Sequence, residues 1–421
     1  MAGSSGGRSR VGPILAWVIT RIVLLLCVFK VFSVSPLDVT SDVSAIYHGW
    51  YEVLRSGTFP LHDVTWQYPP AAALAVLSPG LLPFLDYTTA FFWLACAADA
   101  VTFALLLRGS RGEGRRQAGV YVWVIGVPLL GPTAYARYDV MVTAVAVAAL
   151  LATVRRPRVA GALIAFAAML KVWPVLLLTG VRDRRVWAAA VASAGVLALG
   201  FWLWMPGAFA FLRFQGERGT EIESLGSLVF HFARHHGWQG QVLLNYGSVE
   251  FLGPYVGLVS DIALTLTVAA FAWLLLWRVR ARAFGAATPF DAAFTAVLLF
   301  TTTSRVISPQ YMIWLIGMAA VCLTLRASVM ALPAGLVLAA TAVTLYEFPI
   351  RFGDVVGSTP VGITLLVLRN GLLVAASLIA CRRLWTATAR DPGPFPATPA
   401  DAGSPPSAAE PEPDGGRLLT W

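Results

Sequence analysis

The sequence predicts an all-α polytopic membrane protein, and three observations carry that prediction. Of the 421 residues, 57% are hydrophobic and only 13% charged, with a mean hydropathy of +0.71. A soluble protein carries about a quarter charged residues, so the apolar excess has to face lipid. Apolar runs of roughly 15–25 residues recur along the chain, and about 20 residues cross the hydrocarbon as a helix. The arginines collect in short clusters between those runs, the pattern that holds basic loops on the cytoplasmic side. The net charge of +9 therefore speaks for topology and gives no case for nucleic acid.

Residues 1–10 form a short basic cytoplasmic segment. The apolar run from about residue 11 to 34 lacks an A-x-A-like cleavage site and reads as an uncleaved signal anchor with the N-terminus inside. A polar, aromatic-rich stretch follows, TSDVSAIYHGWYEVLRSGTFPLHDVTWQYPP. If the next apolar run, 69–85, crossed the membrane, the span at 88–107 would deliver RGSRGEGRR (108–116) to the outside, with four arginines at once. The better reading keeps 69–85, broken by Ser78-Pro79-Gly80, as an interfacial or re-entrant helix on the outer face.

Spans at 118–134 and 139–154 meet at an outer corner, Tyr135-Ala136-Arg137-Tyr138-Asp139. The run 159–181 has RRPR before it and RDRR after it, so a single span is excluded. Two half-length helices meeting at Lys171-Val172-Trp173-Pro174 satisfy both clusters, since Pro174 breaks the pattern. A lysine at membrane depth needs a partner or a watery cavity; the alternative is that Lys171 snorkels to the interface. A span at 186–205 leads to a long outer loop, 206–250. Spans near 253–277, 288–303, 309–325, 328–346 and 360–380 complete about 11–13 membrane helices, including the short re-entrant pair. From residue 386 onward the chain is rich in Pro, Ala and acid, which predicts a disordered cytoplasmic tail after a membrane domain spanning 11–385. Cys27, Cys96, Cys322 and Cys381 lie in or beside apolar runs with no CxxC spacing, which excludes a disulfide framework and a zinc site.

This topology gathers the polar residues on the outer side: Asp42, His62, Asp63, Arg137, Asp139, Glu217, Arg218, Glu221, Glu223, His235, His236, Asn245, Arg305 and Gln310. Carboxylates can take a proton from a hydroxyl nucleophile, and arginine or lysine can hold a leaving phosphate. No Walker loop and no GxGxxG is present, so a soluble nucleotide donor inside the cell is not indicated and a lipid-linked donor is the natural alternative.

The stretches SDVSAIYHGW, GTFPLHDVTWQYPP, ARYDVMVTAVAVAALL, MLKVWPVLLL, GERGTEIESLGSL, NYGSVEFLGP and TSRVISPQYMIWL occur in that order from Asp42 to about Asn370. As an ordered set they resemble glycosyltransferase family 87, polyprenol-phosphate-sugar-dependent membrane enzymes of the GT-C type. The resemblance implies interfacial helices in the first outer loop, a catalytic acid there at Asp42 acting as base in an inverting displacement, and a second acidic residue at Asp139. Candidates to hold the donor phosphate are Lys171, Arg137 and Arg305. His62, Asp63 and Glu221 are further acidic or substrate candidates, and Tyr68, Trp66, Gln310 and Tyr311 candidates for sugar or acceptor contact. Mannosyltransferases of that family carry a histidine-containing motif after a late Ser-Pro; here the place reads Ser308-Pro309-Gln310-Tyr311, which leaves sugar and acceptor open. The implied partners are a polyprenyl-phosphate-sugar donor, a lipid or glycan acceptor and the lipids of the plasma membrane.

Blander readings stand beside several of these residues. Ser41-Asp42 also looks like a helix start. Arg137 and Asp139 suit a plain ion pair at a corner, and Arg218, Glu221 and Glu223 a solvated charge run. Trp50, Tyr51, Trp66 and Tyr68 suit anchors at the headgroup level. His231 and His235-His236 offer i, i+4 spacing for a metal, which a polar outer-loop helix explains equally well, and no cofactor is required. Arg369-Asn370 falls inside the last span and must find a partner there. A transporter or flippase for lipid-linked sugars is the rival function, but internal repeats and polar residues on several helices at midplane would be expected of it.

Overall fold

The computed structural model describes residues 11–61, 63–216 and 219–389. The helices are α1 (Val11–Val28), α2 (His48–Arg55), α3 (Ala72–Leu77), α4 (Tyr87–Gly109), α5 (Ala118–Leu129), α6 (Asp139–Ala152), α7 (Pro157–Leu170) and α8 (Arg184–Trp204). They continue with α9 (Phe211–Gly216), α10 (Leu228–Ala233), α11 (Val256–Arg280), α12 (Thr288–Thr303), α13 (Tyr311–Leu323), α14 (Ala331–Leu345), α15 (Phe352–Val356) and α16 (Pro360–Thr388). Among the described residues, six helices are long and apolar enough to cross a membrane: α1, α4, α8, α11, α14 with its short extension, and α16. The shorter α5, α6, α7, α12 and α13 pack between them. The protein is an all-α polytopic membrane protein.

Helix α13 is buried along residues 312–323, as a helix apolar on every side must be. Small residues let its neighbours approach. A side chain on Gly119 of α5 would meet Ala320 O at 2.0 Å, and one on Gly317 would meet Thr143 Cγ2 of α6 at 2.3 Å; close backbone approach at small residues is how membrane helices gain packing contact. Helices α8 and α11 lie at the periphery with most of their apolar surface uncovered.

The arginine clusters gather at one end of the bundle, where they satisfy backbone carbonyls of helix ends and of the connections beside them. Arg116 Nε donates to Leu323 O, Arg182 Nη2 to Ala281 O, Arg278 Nη2 to Val181 O and Arg383 Nη1 to Val329 O. Chain direction places Asp139 and Tyr311, the first residues of α6 and α13, at the opposite end.

Residues 157–181 enter and leave at the arginine end, as the charge pattern requires. The two arms differ, however: α7 is a full α-helix, while Trp173–Leu178 is a six-residue 3-10 turn and not a second α-helix. A continued α-helix would drive the Pro174 ring into the carbonyl of Leu170. Lys171 is extended instead (φ −157°, ψ 138°). The freed carbonyls are taken up nearby, Leu170 O by Tyr138 Oη at 3.3 Å and Met169 O by the Ala71 amide at 3.0 Å.

The structure adds a sheet and corrects two expectations. The long segment between α8 and α11 holds a small antiparallel sheet, β1 (Thr220–Glu221), β2 (Gln241–Asn245) and β3 (Ser248–Leu252), in the order β1-β3-β2. Its hairpin turns through Tyr246 (φ 46°) and Gly247 (φ 77°), a two-residue turn that needs positive φ at both positions. The last helix runs past 385 to Thr388, because Thr388 Oγ1 accepts from Trp277 Nε1 and Thr388 O accepts from the Arg282 and Ala283 amides. Trp50 and Trp66 are buried and so do not anchor at a headgroup surface; they pack into a ring cluster with Tyr47, Phe59 and Tyr68.

Candidate active site

The connection between α1 and α4 contains a π-helical turn, Asp42–Tyr47, that runs directly into α2. Asp42 is at its first residue, with its side chain one-third exposed, and Arg137 Nη2 lies 2.7 Å from Asp42 Oδ2. Arg137 also donates to Val39 O and Ala136 O, which holds the corner before α6 against the chain before Asp42. Burial works against the Arg137 charge, but the carboxylates of Asp42 and Asp139 and the rings of Tyr47 and Tyr68 together outweigh it and leave the guanidinium above its usual pKa. The plain corner pair of Arg137 with Asp139, the blander alternative, does not form: Arg137 takes Asp42, and Asp139 takes Lys171.

Lys171 Nζ lies 2.6 Å from Asp139 Oδ1, and Trp314 Nε1 donates to the same oxygen at 2.7 Å. The rings of Tyr68, Tyr138, Tyr311 and Trp314 stand 5.0–5.6 Å from the ammonium, within cation–π range. Lys171 is buried and does not snorkel.

A cavity of about 380 Å3 opens over this cluster, and its lining includes Gln67, Tyr68, Lys171, Tyr246, Arg305, Ser308, Gln310, Tyr311 and Trp314. Its wall thus brings together two cations from distant parts of the chain with several aromatic rings. The ring of Tyr68 contacts that of Tyr138 at 5.3 Å, and Tyr138 contacts Tyr47 of the Asp42 turn at 6.1 Å, so one layer of tyrosines separates the Asp42–Arg137 pair from the cavity.

The remaining candidates fall elsewhere. Asp63 accepts from Trp50 Nε1 and from the Thr65 amide and hydroxyl, which fixes the turn leading to Trp66. Glu221 is buried behind the Arg305 loop. His62, Glu217 and Arg218 lie outside the described residues. His231 Nε2 donates to Ile222 O and its Nδ1 accepts from Ser358 Oγ, while His235 Nε2 bonds Ser358 O. These histidines thus tie the segment around Ile222 to Ser358 before α16, and among the described residues no three His, Cys, Asp or Glu are grouped to hold a metal. Arg369 finds its partners in Glu223 and Glu347, and Asn370 Nδ2 donates to Glu223 O and Ser224 O. Burial, reinforced by the Glu347 and Glu221 carboxylates, pushes the Glu223 carboxyl well above its usual range.

Deeper in the bundle, Arg21 of α1 and Asp99 of α4 form a buried pair at 2.7 Å. Trp123 and Tyr135 also donate to the Asp99 carboxylate, and Arg21 reaches the carbonyls of Trp123 and Val124. Every arm of that network is occupied, so it reads as scaffold. Its signal in the sequence is a charged residue inside each of two apolar runs.

The protein-family model described as glycosyltransferase family 87 matches residues 66–309, more than half of the chain. No curated protein and no solved structure matches it.

Proposed function

The chain belongs to glycosyltransferase family 87, and from that premise we propose that it transfers one sugar from a polyprenyl-phosphate donor to a lipid or glycan hydroxyl on the outer face of the plasma membrane. The observation that carries the reading is the cavity in which Lys171 and Arg305 share a wall with several aromatic rings; the Asp42–Arg137 pair lies behind the Tyr47, Tyr138 and Tyr68 rings. A sugar phosphate asks for that combination: cations for the phosphate and ring faces for the sugar.

In the proposed step the acceptor oxygen attacks the anomeric carbon as the bond from that carbon to the phosphate oxygen breaks, with inversion. Asp42, assigned as base by the family resemblance and not by contact with the cavity, takes the proton of the acceptor hydroxyl. It is the more open of the two acids, at 33% exposure against 2% for Asp139. Lys171 and Arg305 offset the charge that develops on the departing polyprenyl phosphate. Arg137, with its donors committed to Asp42, Val39 O and Ala136 O, orients the base. Asp139 holds Lys171 in place, and Tyr68, Tyr311 and Gln310 are placed to meet the sugar. The basic end of the bundle would then be cytoplasmic, together with both termini.

The test is transfer by the purified protein in proteoliposomes. Polyprenyl-phosphate mannose, arabinose and glucose would be offered with a lipid extract from the source cells. A glycosylated product that forms from one of these donors and not from the matching nucleotide sugar supports the proposal. Product from the nucleotide sugar alone would overturn the donor class.

A further inference from the structure

We infer that Glu221 is a positioning residue that sets Arg305 in the cavity wall by holding the 305–308 segment; this rests on the proposed role of Arg305 in holding the donor phosphate. Strand β1 has only two residues, yet Glu221 meets the 305–308 segment in three places. Its amide donates to Arg305 O at 3.1 Å. Its Oε2 accepts from the Ile307 amide at 2.5 Å, and its Oε1 accepts from Ser308 Oγ at 2.9 Å. The carboxylate is buried and absent from the cavity lining, whereas Arg305, Val306 and Ser308 line it. A residue so placed touches the segment that faces the ligand, not the ligand itself.

The arm that carries Glu221 is itself held from behind. The Ile222 amide donates to Val249 O in β3, Ile222 O accepts from Ser227 Oγ and His231, and Glu223 O accepts from Arg369 and Asn370. Residues 221–223 are therefore a rigid bracket between the last helix and the Arg305 loop. Charge-assisted bonds to backbone amides are the stronger kind. Exchanging the carboxylate for an amide turns one acceptor into a donor aimed at Ile307 N–H or Ser308 Oγ, while the volume is kept.

The experiment is a double-mutant cycle on Glu221→Gln and Arg305→Ala, reading binding of decaprenyl monophosphate to the full chain in detergent micelles through tryptophan fluorescence. Melting temperatures would be recorded for every variant. Glu221→Gln is expected to raise Kd about tenfold, and the double variant to bind no more weakly than Arg305→Ala alone, because the first change acts through the second residue. Losses that multiply in the double variant, or an unchanged Kd for a folded Glu221→Gln, would overturn the assignment. A fall in melting temperature with no change in Kd would mark a purely structural role and also overturn it. Should the wild-type chain not bind the probe, the phosphate reading of the cavity fails, and the role of Glu221 with it. Wild-type binding with multiplied losses overturns only the latter.

Discussion

Lys171 and Asp139 meet at 2.6 Å where α7 breaks and α6 begins, with four aromatic rings closed around the ammonium. Asp139 Oδ2 has no hydrogen-bond partner among the described residues, so its charge is answered through Oδ1 by Lys171 and Trp314. Removing one partner of a buried pair costs about 3–5 kcal/mol. Lys171→Met is thus expected to destabilise the protein by that order. Adding Asp139→Asn should restore part of the stability without restoring polyprenyl-phosphate binding. Chemical denaturation in detergent together with a binding titration separates the two effects.

Arg137 gives the Asp42 carboxylate its orientation. Arg137→Ala is expected to lower kcat about a hundredfold, the scale of a lost general-base or orienting contact, with a smaller change in KM for the donor. Arg137→Lys keeps the charge but not the fork that reaches Asp42, Val39 O and Ala136 O, and should recover only part of the rate. Steady-state kinetics on the three proteins checks this. An Arg137→Ala variant that changes KM alone would move Arg137 to the donor phosphate.

His231 carries a pH dependence. Burial depresses its pKa to about 4, with Arg234 adding to the effect, against 6.5 for the free side chain. The unfolded chain therefore binds a proton that the folded chain refuses. Stability attributable to His231 is complete above about pH 6.5, declines as pH falls, and levels off below about pH 4, a span of roughly 3 kcal/mol. Unfolding followed from pH 7 to pH 5 should show this slope in the wild type and a flatter one in His231→Phe.

Arg369 joins the last helix to the segment after α8 through Glu223 and to the end of α14 through Glu347. Arg369→Leu leaves two buried carboxylates facing each other. It is expected to cost about 3–5 kcal/mol and to weaken donor binding as well, since the bracket on Arg305 loses its rear support. Arg369→Leu with Glu223→Gln should regain stability in the same denaturation assay.

Much of the fold can be read in the sequence because lipid imposes simple rules. Apolar runs mark the helices, and the arginine clusters fix which ends lie together. The re-entrant segment follows from the clusters flanking 159–181, and Lys171 stands out as a lone lysine at membrane depth. Pairings are a different matter. Asp42 and Arg137 are 95 positions apart, and Lys171 is 32 from Asp139; only the packed bundle decides that each acid takes the cation it does. The tryptophans of the connection between α1 and α4 fit two environments equally from composition, a headgroup belt or a ring cluster, and contact with Phe59 and Tyr68 selects the second. The hairpin had a signal in Asn245-Tyr246-Gly247-Ser248, a two-residue turn between apolar stretches, masked by the helical character of the rest. The bracket at Glu221 had none, since its three bonds span more than 80 residues.

The most direct test of the account is sugar transfer by purified wild-type protein and by Asp42→Asn, with folding of both verified by melting temperature. The account predicts product from the wild type and a loss of at least a thousandfold in rate for folded Asp42→Asn. Equal rates from the two proteins would contradict it, and would move the base away from the Asp42–Arg137 pair.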